Sequence, residues 1–198
     1  MRKIKYLFLM AILTIIMFIP IASSADSGTT SPWTVGMVLE STDGFGKYQI
    51  TSTTSCTGKL GIQYHGTVTL IGPGSYQSTG MTVDENITLT DSDGYQYTYK
   101  VTEIAPNAFK NDKKLLSFTI SSTSAVTVIP KGMCSGCSKM TVLKLYSNNI
   151  KKIQKKAFKG CKKLKSVYTG SRKKVKKYQK MVRKAGAKKA KASYGISL

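Results

Sequence analysis

Four cysteines and a single histidine are the side chains of this 198-residue chain best suited to nucleophilic, redox or metal chemistry, so their spacing decides how much of it is open. Cys134-Ser135-Gly136-Cys137 has the spacing of thiol oxidoreductases, in which a helix N-terminus or a nearby cation lowers a thiol pKa enough to make it nucleophilic. Lysines are plentiful around it, but the flanking sequence is no thioredoxin-like βαβ unit, and core packing is the competing reading. Cys134, Cys137 and Cys161 would give zinc three ligands, yet no spacing supplies a fourth and His65 lies far upstream. A Cys137–Cys161 disulfide is left open by the sequence, and Cys56 has no obvious partner.

Acid/base chemistry has little to draw on. All 9 acidic side chains, but only 7 of the 31 basic ones, precede residue 113, so no carboxylate side chain follows Asp112 and the net charge of +22 sits in the C-terminal half. Asp91-Ser92-Asp93-Gly94 lacks the further acidic ligands of a calcium loop and reads as a hairpin turn, with Gly94 at the position of positive φ. Asn86-Ile87-Thr88 matches a glycosylation sequon. No catalytic residue, cofactor or metal site is expected, and the chain is read as a non-enzyme.

The elements that position these residues begin with an address. Arg2, Lys3 and Lys5 precede an apolar run from Tyr6 to Ile21, followed by Ala22-Ser23-Ser24-Ala25. That order is the grammar of a secretory signal peptide over 1–25, giving a mature chain from Asp26 that is secreted, extracellular or held at the cell surface. From 26 to 100 the composition turns to Thr, Ser, Gly and Tyr in short alternating runs, which predicts antiparallel strands over Lys47–Thr51, Leu60–Tyr64, Thr67–Ile71, Asn86–Thr90 and Tyr95–Thr102.

From 101 to 170 a repeat dominates. Ile104, Ile129 and Ile153 recur at spacings of 25 and 24 residues, as do Leu115, Met140 and Leu164. Further columns are Phe109/Cys134/Phe158 and Phe118/Leu143/Val167. A single unit cannot bury its apolar face, but stacked units convert each column into a continuous ladder, which predicts about three turns of a short solenoid.

The run Ile153, Ala157, Phe158, Gly160, Cys161, Leu164, Val167 resembles the bacterial leucine-rich repeat family typified by the surface protein BspA. Asp112 stands where the other copies carry Cys, and Cys134 where they carry Phe. The resemblance implies a curved stack with one short strand per turn, in exported or surface proteins associated with adhesion and protein binding.

The last segment, 171–198, is strongly basic. Ser171 is a candidate cap for a helix whose Val175, Tyr178, Met181, Val182 and Ala185 share one face, so the expected architecture is α+β and β-rich: a β-rich N-terminal region, a short leucine-rich repeat solenoid and a closing basic helix. Arg172, Lys173, Lys174, Lys176, Lys177, Lys180, Arg183 and Lys184 are its candidate anion- or surface-binding residues. The expected partner is a protein or other extracellular macromolecule, with an anionic cell-wall polymer or membrane surface met through the helix. Nucleic acid is disfavoured, since an exported chain rarely meets it and no aromatic residues are interleaved for base stacking. Two other functions stay open on these residues: an exported thiol oxidoreductase using Cys134 and Cys137, and a purely electrostatic envelope binder.

Overall fold

The computed structural model describes residues 31–57, 63–76 and 78–195. The signal-peptide reading over 1–25 and most of the Leu60–Tyr64 strand lie outside the described residues. The N-terminal half holds β1 (Val38–Glu40), β2 (Gly46–Ser52), β3 (Cys56–Thr57), β4 (Gln63–Tyr64), β5 (Thr67–Pro73), β6 (Gly80–Val83), β7 (Asn86–Thr90) and β8 (Gln96–Ile104). The repeats contribute β9 (Ser117–Ile120), β10 (Val128–Ile129), β11 (Val142–Leu145), β12 (Lys152–Ile153) and β13 (Ser166–Thr169). A 3-10 turn (Arg172–Lys174), α1 (Val175–Lys184) and β14 (Lys191–Tyr194) follow.

Two five-stranded sheets, in the orders β1-β2-β5-β8-β7 and β14-β13-β11-β9-β6, share one apolar core. The first sheet contains the expected antiparallel hairpins, including β7–β8 around the Asp91 turn, where the Asp91 carboxylate accepts from Asp93 N–H and Tyr95 N–H. The antiparallel expectation fails for β5–β8 and β6–β9, which are parallel. The chain is already coiling here: Met81 and Val83 enter the repeat columns opposite Phe118 and Ile120, so the parallel ladder starts at β6.

From β9 onward each turn lays one four-residue strand beside the last, in parallel register: Phe118 opposite Leu143, Leu143 opposite Val167, Val167 opposite Ala192. On the other side of the coil, Phe109 N–H donates to Met133 O, Cys134 N–H to Ala157 O and Phe158 N–H to Ala185 O, so backbone donors of each turn are satisfied by the next. The predicted columns are buried at Phe109, Leu115, Phe118, Cys134, Met140, Leu143, Phe158, Leu164 and Val167; Ile153 is half-buried.

The C-terminal expectation needs two corrections. Ser171 makes no side-chain cap bond; its carbonyl instead accepts from Lys174 N–H and Thr169 Oγ1, which turns the chain out of β13 through the 3-10 turn before α1 starts at Val175. The helix also does not end the stack. It is the connection to β14, a strand too short and too polar to announce itself, which pairs in parallel with β13.

Candidate functional site

Cys134, Cys137 and Cys161 are brought together at successive corners of the coil, and all four cysteines including Cys56 are free. The disulfide left open by the sequence is therefore not formed. The Cys137 thiol donates to Phe109 O and the Cys161 thiol to Cys134 O, each at 2.9 Å, tying one turn to the previous one. Burial pushes the Cys134 thiol well above its ordinary pKa, whereas hydrogen bonds from the Cys134 and Cys161 thiols draw Cys137 down to about 4, so the acidic thiol of the pair is Cys137, which has no exposed surface. Asp112, at the same column, caps its own turn by accepting from Lys114 N–H and Leu115 N–H. His65 stacks edge-on against Tyr97, with its Nδ1 facing the Thr98 backbone, and serves packing. Among the described residues no group of three or more His, Cys, Asp or Glu side chains is arranged to hold a metal ion.

The helix packs through Tyr178, Val182 and Ala185, and Tyr178 Oη donates to Ser147 O at 2.8 Å in the second turn. Seven of the eight candidate cations point to solvent, and Lys174 is half-buried. They are not equivalent. Arg183 Nε donates to Ala190 O at 2.8 Å and the Arg172 guanidinium lies 5.1 Å from the Tyr194 ring centre, so both hold the segment leading to β14. Lys173, Lys176, Lys177, Lys180 and Lys184 are exposed on the helix and its entry turn.

A second surface is invisible in the sequence until the register is known. Strand alternation turns Phe118, Leu143 and Val167 inward, so their neighbours face out in rows across the sheet. One row is Thr82, Thr119, Lys144, Tyr168, Ser193; another is Gly80, Ser117, Val142, Ser166, Lys191. Adjacent members stand about 4.8 Å apart, a rigid array with backbone groups committed to the ladder. The only sequence signal for it is the x positions between the apolar columns, which carry no marker of their own.

Two solved proteins are similar to this chain. A leucine-rich repeat protein from Bacteroides capillosus is 18% identical over 76% of this chain and 95% of its own, with a TM-score of 0.48. A leucine rich cell surface protein from Faecalibacterium prausnitzii is 21% identical over 69% of this chain, with a TM-score of 0.46, and this chain spans about a third of its length (34%). Comparison with curated proteins gives no match. The profile of the BspA type leucine rich repeat region matches residues 62–181 in six copies, more than half of the chain and beginning well before the repeat is legible by eye. With that match over more than half of its length, the chain belongs to the BspA-type leucine-rich repeat family.

Proposed function

We propose that this chain is an exported, non-enzymatic interaction protein that binds a macromolecular partner outside the cell, in adhesion or a related contact, through the outward rows of its parallel sheet. The carrying observation is the row Thr82, Thr119, Lys144, Tyr168, Ser193, which presents hydroxyl, ammonium and aromatic groups at fixed spacing on backbone that cannot rearrange. Residues 1–25 act as the export address, and no described helix is long and apolar enough to cross a membrane. The exposed lysines of α1 hold the protein against an anionic envelope polymer or membrane, each worth about 1 kcal/mol near such a surface. The thiol-oxidoreductase reading is weakened by the burial of Cys134 and Cys137.

The test uses the mature chain from Asp26 and immobilised extracellular-matrix and cell-wall preparations. Binding that survives Lys173→Gln/Lys177→Gln but is lost in Lys144→Glu/Tyr168→Ala, with unchanged circular dichroism, is the expected result. Equal binding by the sheet-face variant, or Cys134-dependent disulfide turnover, overturns the proposal. Retention on isolated envelopes through the helix should fall steeply between about 0.1 M and 1 M salt, because the Debye length shrinks from about 10 Å to about 3 Å.

A further inference from the structure

The two-stranded ladder β10–β12 lies across the core from the main sheet, and a further repeat would add its short strand to the free edge of β12. Here the chain departs into α1 instead, which packs against β12 as well as β13 and β14. A helix does not fill the place of a strand. The space left between β12, the 154–159 turn and the C-terminal end of α1 is a groove of about 910 Å³, lined by Lys131, Lys152, Lys155, Lys156, Lys159 and Lys184. Ile153, Gln154 and Gly186 complete it, and the Gln154 side chain fixes one wall by accepting from Lys131 N–H at 2.8 Å.

All six lysines are exposed, and no acidic side chain lines the groove. The salt bridge found among the described residues, Lys100 to Glu85, lies elsewhere. Six like charges around one hollow, with no acid among them, give it a field of one sign that attracts an anion. Lys156 adds an independent observation. It sits at φ +64, in the left-handed region, at a column where the two preceding turns carry Asn107 (φ 63) and Gly132 (φ 70), residue types that tolerate that conformation. The third turn thus holds a lysine where the backbone conformation favours Gly or Asn, and backbone strain of this kind gathers at binding sites.

We infer that this groove binds a linear, base-free polyanion, one chain carrying closely spaced phosphate or sulfate groups. Lysine is a point charge that meets such groups without demanding a planar partner, and six of them along a trough match a chain better than a single small anion. A bilayer is flat and reaches only the rim of a concave site. Single-stranded nucleic acid would need aromatic platforms, and none lines the groove. The inference rests on the envelope-retention reading for its biological setting, and it adds the groove to the outer lysines of α1 as the tighter contact for a polymer chain.

The experiment titrates the purified mature chain with inorganic polyphosphate at about 0.1 M salt by calorimetry, then repeats it across a salt series. Lys156→Gly and Lys152→Gln/Lys159→Gln are compared with Lys173→Gln/Lys177→Gln, a pair of outer lysines matched in charge to the double groove variant. The groove variants should lose affinity about fivefold per lysine, with the slope of log K against log salt falling by about 1 for each. The outer pair should lose less than half as much as the groove pair. Lys156→Gly should unfold at the same or a higher temperature than the parent chain, so that its lost affinity cannot be lost folding. Equal losses in the groove and outer pairs would show diffuse charge and overturn the inference. So would anionic phospholipid vesicles or an oligonucleotide bound more tightly than polyphosphate at equal charge. Absence of polyphosphate binding sinks the groove while leaving the sheet-face proposal standing, because that is read in the separate Lys144→Glu/Tyr168→Ala comparison.

Discussion

Gly186 joins α1 to the segment that leads into β14, and replacing it by alanine tests whether the helix is packed on the third turn as closely as described. Its φ is +120, and a Cβ built there would lie 2.8 Å from Lys159 N, 2.9 Å from Lys159 Cα and 3.1 Å from Phe158 C. These are backbone atoms of the neighbouring turn and have no rotamer to escape into. Relief requires the end of the helix to move away, which strains the bond from Phe158 N–H to Ala185 O. The positive φ alone costs about 1–2 kcal/mol for an L side chain, and forcing atoms into a packed contact adds about 1–3 kcal/mol, giving about 2–5 kcal/mol together. Gly94, at φ +87 in the β7–β8 turn with nothing within 4 Å of its would-be Cβ, isolates the backbone part, so Gly94→Ala should lose only about 1–2 kcal/mol. Urea unfolding followed by far-UV circular dichroism gives both numbers from the midpoint and slope. If the two losses agree within about 0.5 kcal/mol, the close approach of the helix to Lys159 is wrong.

Other expected outcomes follow from buried groups. Phe158→Ala should cost about 3–5 kcal/mol by the same assay, since Phe158 has no exposed surface, and a loss below about 1 kcal/mol would contradict its ladder position. Tyr178→Phe should cost about 1–3 kcal/mol by leaving the Ser147 carbonyl without its donor, and a neutral result would mean the hydroxyl is not docked there. Burial raises the Cys134 thiol pKa in the folded chain, so stability is level below the unfolded thiol value of about 8.5 and falls above it by up to about 1.4 kcal/mol per pH unit, as the unfolded chain alone ionises. Unfolding measured from pH 7 to 10 should show a shallower alkaline decline in Cys134→Ala than in the parent chain, and identical slopes would remove the buried thiol from the account.

The repeat columns are legible in the sequence because a coil of fixed length returns each apolar position to the same radius after one turn. Phe109, Leu115, Phe118, Met140, Leu143, Phe158, Leu164 and Val167 are therefore buried where a period of 25 and 24 residues puts them. Ile153 departs from its column because α1 lies where the next short strand would cover it. The apolar stripe Val175, Tyr178, Val182 and Ala185 likewise marks a docked helix in advance, since its partners are set by a local period. Met81 and Val83 in β6, and Ala192 in β14, carry no such signal. Each strand is four residues long, and its place comes from hydrogen bonds to β9 or β13, more than 20 residues away. The cysteines follow the same division: their types and spacing allow redox chemistry, metal binding or packing, and it is the tertiary structure that encloses Cys134 and Cys137 between neighbouring turns, which weighs toward packing. The lysines are the extreme case. With charge spread almost evenly from Lys151 to Lys191, sequence determines the sign of the surface field, whereas the sorting into Arg172 and Arg183 on internal contacts, outward helix lysines, and six lysines around one groove depends on where α1 crosses β12, a long-range packing choice that no local pattern encodes.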